Sequence, residues 1–310
     1  MEYRSLGDSG LRVSEVMLGT WAIGGNQWGP ADDAESVVTI KRAIDLGITA
    51  IDTAPGYGYG HAEELVGQAI KGYPRESVVI ATKTGLAWDE TRPFFIDNGR
   101  EHVLREIENS LRRLQTDYVD LLQIHWPDRD TPVEETLEAM IELQQAGKVR
   151  HIGVSNFNVP LLERSIRAAK IASLQPGYNL FERHIEAEIL PFCKSHNIGI
   201  IAYGPLAKGL LTGKFNGDET FPDNDIRRWD QHFQGSHFKE NVAKVERLRA
   251  IAEKYRKTPG QLAIGWILEH PGISAAIAGA RRPSQVEDNA GASGWHIAPE
   301  DMTEIERIFV

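Results

Sequence analysis

Val16-Met17-Leu18-Gly19-Thr20-Trp21-Ala22-Ile23-Gly24 is the stretch on which the fold turns. The apolar run Val16–Thr20 reads as a strand, and the residues after it are the informative ones. A dinucleotide-binding doubly wound sheet carries G-x-G-x-x-G directly after its first strand, because glycines let the backbone approach a pyrophosphate. Here the turn is Leu18-Gly19-Thr20-Trp21-Ala22-Ile23-Gly24, which lacks that pattern. Outward from it, short apolar runs recur at Ile48–Asp52, Val78–Lys83, Tyr118–His125, Arg150–Ser155, Ser173–Tyr178, Ile198–Tyr203 and Ser274–Gly279. Helical patterns lie near 34–46, 61–71, 100–114, 132–146, 159–169, 184–196 and 239–256. Val103, Ile107, Leu111 and Leu114 show the helical interval, and Pro132 opens and Gly147 closes another helix.

Eight strands mostly separated by helices imply parallel pairing with right-handed crossovers. Eight such units in a chain near the ~250-residue norm favour closure into a (β/α)8 TIM barrel over an open sheet. The expected fold is therefore α/β, one barrel domain over residues 1–310. Additions to the barrel are a short N-terminal hairpin (Tyr3–Leu6 with Leu11–Ser14), two extra helices (258–272 and 299–310) and a long loop, 207–238, after the seventh strand. That loop leaves the C-terminal face, where it is placed to close over a ligand. The acidic start Pro299-Glu300-Asp301 suits the N-terminus of the last helix.

With 41% hydrophobic and 25% charged residues, the chain has the composition of an ordinary globular protein. Its net charge of −10 argues against general nucleic-acid or anionic-membrane binding. No signal-peptide pattern or long apolar span is present, and Cys193 is the single cysteine, read as a small buried hydrophobe. The expected setting is the cytoplasm.

Polar residues at the C-terminal ends of barrel strands point into the active site. Asp52 ends the second strand, Lys83 the third and His125 the fourth, and Tyr57 follows in the loop Pro55-Gly56-Tyr57-Gly58. Each alone is an ordinary feature; four on three successive strands converge. A phenol near its usual pKa of ~10 is a poor acid at neutral pH. A neighbouring ammonium lowers that value, and a carboxylate holds the ammonium in place. A neutral imidazole donates a hydrogen bond to a carbonyl oxygen. The set suits carbonyl reduction, with Tyr57 protonating the developing alkoxide and no metal required.

The pattern resembles the aldo-keto reductase superfamily across essentially the whole chain. The matching segments are Gly19-Thr20-Trp21, Asp52-Thr53-Ala54-x-x-Tyr57-Gly58, Thr82-Lys83, Ile124-His125, Ile152-Gly153-Val154-Ser155-Asn156-Phe157, Gln175-x-x-Tyr178-Asn179 and Ala202-Tyr203-Gly204-Pro205-Leu206. The resemblance implies a catalytic tetrad of Asp52, Tyr57, Lys83 and His125, with Tyr57 as general acid/base. It further implies that Ser155, Asn156 and Gln175 hold a nicotinamide carboxamide and that Tyr203 stacks on the ring. Gly204, Pro205, Leu206 and Gly209 would follow the pyrophosphate, with Lys208 and Lys214 as further phosphate partners, and Gly19, Thr20, Trp21 and Asp52 count among the cofactor contacts. The adenosine end is expected at Gly279, Arg281, Gln285, Asp288 and Asn289, where a helix begins.

Arg281 and Arg282 are either 2′-phosphate contacts or solvated loop charges. In the best-known branch a Lys-Ser pair and a later Arg stand there. The replacements resemble bacterial-type aldehyde and sugar-alcohol reductase branches, which implies NADP(H). Substrate contacts expected from aromatic character are Trp21, Tyr57, Trp88, His125 and Trp126, with Tyr59, Trp229 and Phe233 as outer candidates. The reading is an NADP(H)-dependent oxidoreductase that reduces small aldehydes or ketones reversibly, as a monomer or weak homo-oligomer. The alternative is a nicotinamide-binding regulatory or structural protein on the same fold. A metal-dependent barrel hydrolase would want two or more strand-end histidines, and only His125 qualifies.

Overall fold

Alternation of inward and outward side chains along eight short strands builds the molecule, whose computed structural model describes residues 1–25 and 27–309. In chain order the elements are β1 (Tyr3–Ser5), β2 (Arg12–Ser14), β3 (Val16–Gly19), α1 (Asp33–Asp45), β4 (Ala50–Asp52), α2 (His61–Ile70), β5 (Val79–Thr84), β6 (Leu86–Ala87), β7 (Phe95–Ile96), α3 (Arg100–Leu114) and β8 (Val119–Ile124). They continue as α4 (Val133–Gln145), β9 (Val149–Ser155), α5 (Val159–Ala168), β10 (Ile171–Gln175), α6 (Ile189–Ser195), β11 (Gly199–Tyr203), α7 (Gly235–Lys254), α8 (Pro259–Leu268), β12 (Ile273–Gly279), α9 (Pro283–Ala290) and α10 (Pro299–Ile308). Strands β3, β4, β5, β8, β9, β10, β11 and β12 form a closed parallel barrel, with β12 pairing β3. This is the expected (β/α)8 barrel. Among the described residues no helix is long and apolar enough to cross a membrane.

Inward residues form two chemically distinct layers. Near the bottom, Met17, Ala50, Ala81, Leu121, Ala172, Ile201 and Ala275 pack as an apolar plug, sealed by Leu6 and Val13 from the N-terminal hairpin. Gly7 permits that seal. Its φ is +54°, and a Cβ there would stand 2.2 Å from the Asn197 carbonyl oxygen. Toward the top the inward positions become polar: Asp52, Lys83, Gln123 and Gln175 are all buried. Outside, α3 buries Val103, Ile107, Leu111 and Leu114 against the strands, as the periodicity predicts.

Several boundaries differ from expectation. The helix expected over 184–196 occupies only Ile189–Ser195, because Pro191 is tolerated only within a first turn. The tenth strand ends at Gln175, before Pro176, rather than at Tyr178. Within 207–238 the chain makes three 3₁₀ turns, Ala207–Thr212, Ile226–Trp229 and Gln231–Phe233, and α7 starts at Gly235. This segment carries its own apolar cluster of Leu210, Phe233 and Phe238, flanked by Phe215 and Phe221. The hairpin of β6 and β7 has no counterpart in the sequence reading; strands of two residues show no alternation. Val310, the end of the expected terminal helix, lies outside the described residues.

Candidate active site

Four strand ends and one loop converge on a single ammonium. Lys83, on β5, is fully buried and donates to Asp52 Oδ1 at 2.7 Å, to the Thr53 carbonyl at 3.0 Å and to Tyr57 Oη at 3.0 Å. Its three donors are thereby satisfied. Asp52 is held from its other side by Gln175 Nε2, 2.8 Å from Oδ2. His125 follows β8, its backbone N–H donating to the Thr84 carbonyl at 3.0 Å, and its ring meets that of Tyr57 edge-on at 5.9 Å. The loop bearing Tyr57 is set by close backbone approach. A Cβ on Gly24 would lie 2.7 Å from the Tyr57 carbonyl carbon, and one on Gly58 2.3 Å from the Gly24 oxygen.

Burial dominates the electrostatics. It pushes the Tyr57 phenol above its ordinary value of 10.0, against the downward pull of Lys83. The expectation that the ammonium would lower this pKa is thus corrected: desolvation of the phenolate outweighs the neighbouring charge. Burial alone would depress Lys83, but Asp52, with Tyr57, outweighs it and holds the ammonium above its usual range. Burial, with Lys83 second, drives His125 well below 6.5, so its imidazole is neutral at pH 7.

Tyr57, His125 and Asp52 open onto a cavity of about 1140 Å³ on the C-terminal face. Of the other expected residues, it is lined by Gly19, Trp21, Trp126, Ser155, Asn156, Gln175 and Tyr203, by Gly204, Pro205, Leu206, Lys208, Gly209 and Lys214, and by Gly279, Arg281, Gln285, Asp288 and Asn289. Thr20 and Trp88 are not brought there. Thr20 is fully buried with its hydroxyl donating to the Asp52 carbonyl. Trp88 packs against Tyr59 and Phe94 and lines a separate cavity of about 220 Å³ beside α3.

Two regions of the large cavity differ in chemistry. Near Tyr57, hydroxyl and amide groups gather: Ser155 Oγ donates to the Gln175 carbonyl, Asn156 Nδ2 to the His125 carbonyl, and Tyr203 Oη to Asn156 Oδ1 at 3.1 Å. Further along, Lys214, Arg227 and Arg282 crowd one another. After burial, the two guanidiniums are the causes that lower the Lys214 pKa. The backbone between these regions takes left-handed φ at Gly204, Ala207, Lys208 and Gly209, with the Ala207 N–H donating to the Gly204 carbonyl at 3.0 Å and the Gly209 N–H to the Leu206 carbonyl at 2.9 Å. Amides at one place, and at another Lys214 and Arg282 beside an Arg227 that is paired with Asp225, fit a ligand with a carboxamide and phosphates.

The structure adds residues that the sequence left unassigned. Trp28 meets Trp21 edge-on at 5.4 Å, and Asp32, Glu35, Glu182, Asp230 and His232 line the cavity. Lys208 is paired with Asp230 at 2.6 Å, and the Arg281 guanidinium donates to the carbonyls of Trp28 and Pro30. Ile226 N–H donates to the Gln27 carbonyl, so the loop after β11 is tied to the loop after β3. No local sequence signal marks such loop-to-loop partners, apart from the density of aromatic and charged residues in 207–238.

The family profile of the aldo/keto reductase family matches residues 15–309. An aldo-keto reductase of Bacillus subtilis (strain 168), YhdN, is 47% identical over 310 residues, covering 99% of this chain and 93% of that protein. The NADH-specific methylglyoxal reductase of Escherichia coli (strain K12) is 34% identical, covering 96% and 95%. An aldo-keto reductase from Klebsiella pneumoniae, solved in complex with NADPH, superposes with a TM-score of 0.79 at 32% identity, covering 100% and 95%. With nearly its whole length matched in sequence and its barrel matched in structure, this chain belongs to the aldo/keto reductase family.

Proposed function

We propose that the chain is an NADP(H)-dependent oxidoreductase that reduces small aldehydes or ketones to alcohols, reversibly, with Tyr57 as the proton donor. The observation that carries this reading is the Lys83 ammonium, bonded at once to Asp52 at 2.7 Å and to Tyr57 at 3.0 Å beneath a cavity of about 1140 Å³. Ser155, Asn156, Gln175 and Tyr203 are suited to the nicotinamide end, and Lys214 and Arg282 to the phosphates. A nicotinamide held there would supply the hydride that the carbonyl carbon receives. Tyr57, kept neutral by burial, gives its proton to the carbonyl oxygen as charge develops there. Lys83 stabilises the phenolate left behind, and Asp52 keeps Lys83 charged and aimed. The neutral His125 orients and polarises the carbonyl oxygen. In the reverse direction the phenolate accepts the alcohol proton.

Asp32 and Glu35 line the same cavity as Arg282, and a carboxylate suits the ribose 2′-hydroxyl of NADH rather than a 2′-phosphate. NADH is therefore the second reading of the cofactor, in line with the NADH-specific relative. Residues 1–310 are taken as one domain acting in the cytoplasm as a monomer or weak homo-oligomer. Fluorescence titration with NADPH and NADH, followed by loss of nicotinamide absorbance with a panel of aldehydes, tests the proposal. Binding of neither cofactor sinks it. Binding without turnover on any carbonyl favours a regulatory role instead.

A further inference from the structure

Strand β5 is anchored unlike an ordinary barrel strand. Outward positions of a parallel barrel face helices across an apolar layer and are usually aliphatic. On β5 the two outward residues flanking Lys83 are Thr82 and Thr84, and each meets a buried carboxylate from a different helix. Thr82 Oγ1 donates to Glu63 Oε1 of α2 at 2.6 Å. Thr84 Oγ1 donates to Glu106 Oε2 of α3 at 2.7 Å, and the same oxygen accepts the Gly85 backbone N–H at 2.9 Å. Glu63 is 0% exposed and Glu106 5%.

Carboxylates buried in an apolar layer are costly unless paired. Arg113 Nε donates to Glu63 Oε2 at 2.7 Å, and His102 Nε2 lies 3.1 Å from Glu106 Oε2, an ion pair when the imidazole is protonated. His102 also faces Asp97 at 3.7 Å and Arg105 at 3.4 Å. The grip falls where the site is assembled. Between the two threonines Lys83 points inward to Asp52 and Tyr57, and the Thr84 carbonyl receives the His125 backbone N–H.

We propose that Glu63 and Glu106 are positioning residues: from outside the barrel they fix the end of β5 so that Lys83 reaches Asp52 and Tyr57 together and His125 keeps its place. A threonine–carboxylate bond is directional, whereas an aliphatic contact tolerates sliding and rotation of the strand end. Glu106 is the stronger member, because it holds both a side chain and the main-chain N–H of Gly85. The inference deepens the proposed reaction and rests on it for its kinetic readouts only.

The test compares wild type with the near-isosteric Thr84→Val, with Glu106→Leu and with Glu106→Gln, which keeps an acceptor for Gly85 and Thr84. Thr84→Val and Glu106→Leu should lower kcat about ten- to a hundredfold, with KM and cofactor Kd nearly unchanged. Glu106→Gln should restore most of the loss. Alcohol oxidation requires Tyr57 as phenolate, so its pH profile should move to higher pH once Lys83 is less firmly held. Removing the Glu106 charge acts through space in the opposite sense, which separates the two effects. Crystal structures of the variants should show Lys83 Nζ withdrawn from its present 3.0 Å to Tyr57 Oη. Unchanged kcat, pH profile and Nζ–Oη distance in Thr84→Val and Glu106→Leu would overturn the positioning role, whatever happens to Tm. A lengthened distance in the variants of a wild type that turns over no carbonyl would support the positioning role and overturn the functional reading.

Discussion

Tyr57 sits between two opposed influences, burial raising its pKa and Lys83 lowering it, and burial prevails. The acid form is therefore fully present below a value above 10.0, and only the phenolate grows in as pH rises through it. Carbonyl reduction should be nearly flat from pH 6 to about 9 and fall only at higher pH, while alcohol oxidation should climb steadily toward alkaline pH. Steady-state rates in both directions check this; a reduction limb near pH 7 would assign the proton to another group. Arg282 belongs to the same scale. Arg281 is engaged with the carbonyls of Trp28 and Pro30, which leaves Arg282 the freer guanidinium for a 2′-phosphate. Arg282→Ala should weaken NADPH about tenfold or more and NADH hardly at all, since charge-assisted bonds are the strong ones. Equal weakening in a fluorescence titration would refute the role. That Asp52, Lys83 and Tyr57 meet was legible in the sequence, because Asp52 and Lys83 stand near the ends of successive strands and Tyr57 in the loop between them. The sign of the phenol shift was not, because neighbours in a motif reveal charge but not depth of burial.

Elements differ in how plainly the chain announces them. Helix α3 follows from its apolar interval, and the polar character of the upper barrel follows from Asp52, Lys83 and His125 standing at or next to the C-terminal ends of their strands. The β6–β7 hairpin and the start of α6 depend on tertiary partners and on Pro191, so no periodicity reports them. The turn after β5 is the tightest of these junctions. Gly85 has φ +92°, and a Cβ there would stand 1.7 Å from Asn98 Oδ1, whose side chain also donates to the Trp126 carbonyl. Gly85→Ala should cost about 2–3 kcal/mol from the strained backbone and displaced Asn98. Turnover should fall with it, because the loop after β8 shifts. Chemical denaturation and kinetics read both; an unchanged midpoint would show that the turn relaxes without strain.

The whole molecule separates stability from chemistry along the barrel axis. At the bottom, Asp120 of β8 is buried, bonded to Arg75 at 2.8 Å, Arg150 at 3.0 Å and the Ile80 N–H at 3.0 Å. Arg150 is half exposed, so part of this pairing is screened by solvent. Asp120→Ala should still destabilise by about 2–4 kcal/mol, since it leaves Arg75 without its buried carboxylate partner. kcat should remain unchanged below the melting range, and a large loss of kcat there would contradict the separation. At the top, the loops after β3 and β11 join across the cavity, an arrangement that could not be read from local sequence because its partners are some two hundred residues apart. Barrel closure, by contrast, was readable from eight runs and from a missing glycine pattern after Val16–Thr20. In the proposed reaction a neutral Tyr57, aimed by Lys83, protonates a carbonyl during hydride transfer. The most direct measurement follows nicotinamide absorbance with an aldehyde in wild type and Tyr57→Phe, with cofactor Kd determined for both. If Tyr57 is the proton donor, the wild type turns over and the variant loses about 10²–10⁴-fold, with Kd unchanged within about twofold. Near-wild-type turnover by Tyr57→Phe would contradict that role.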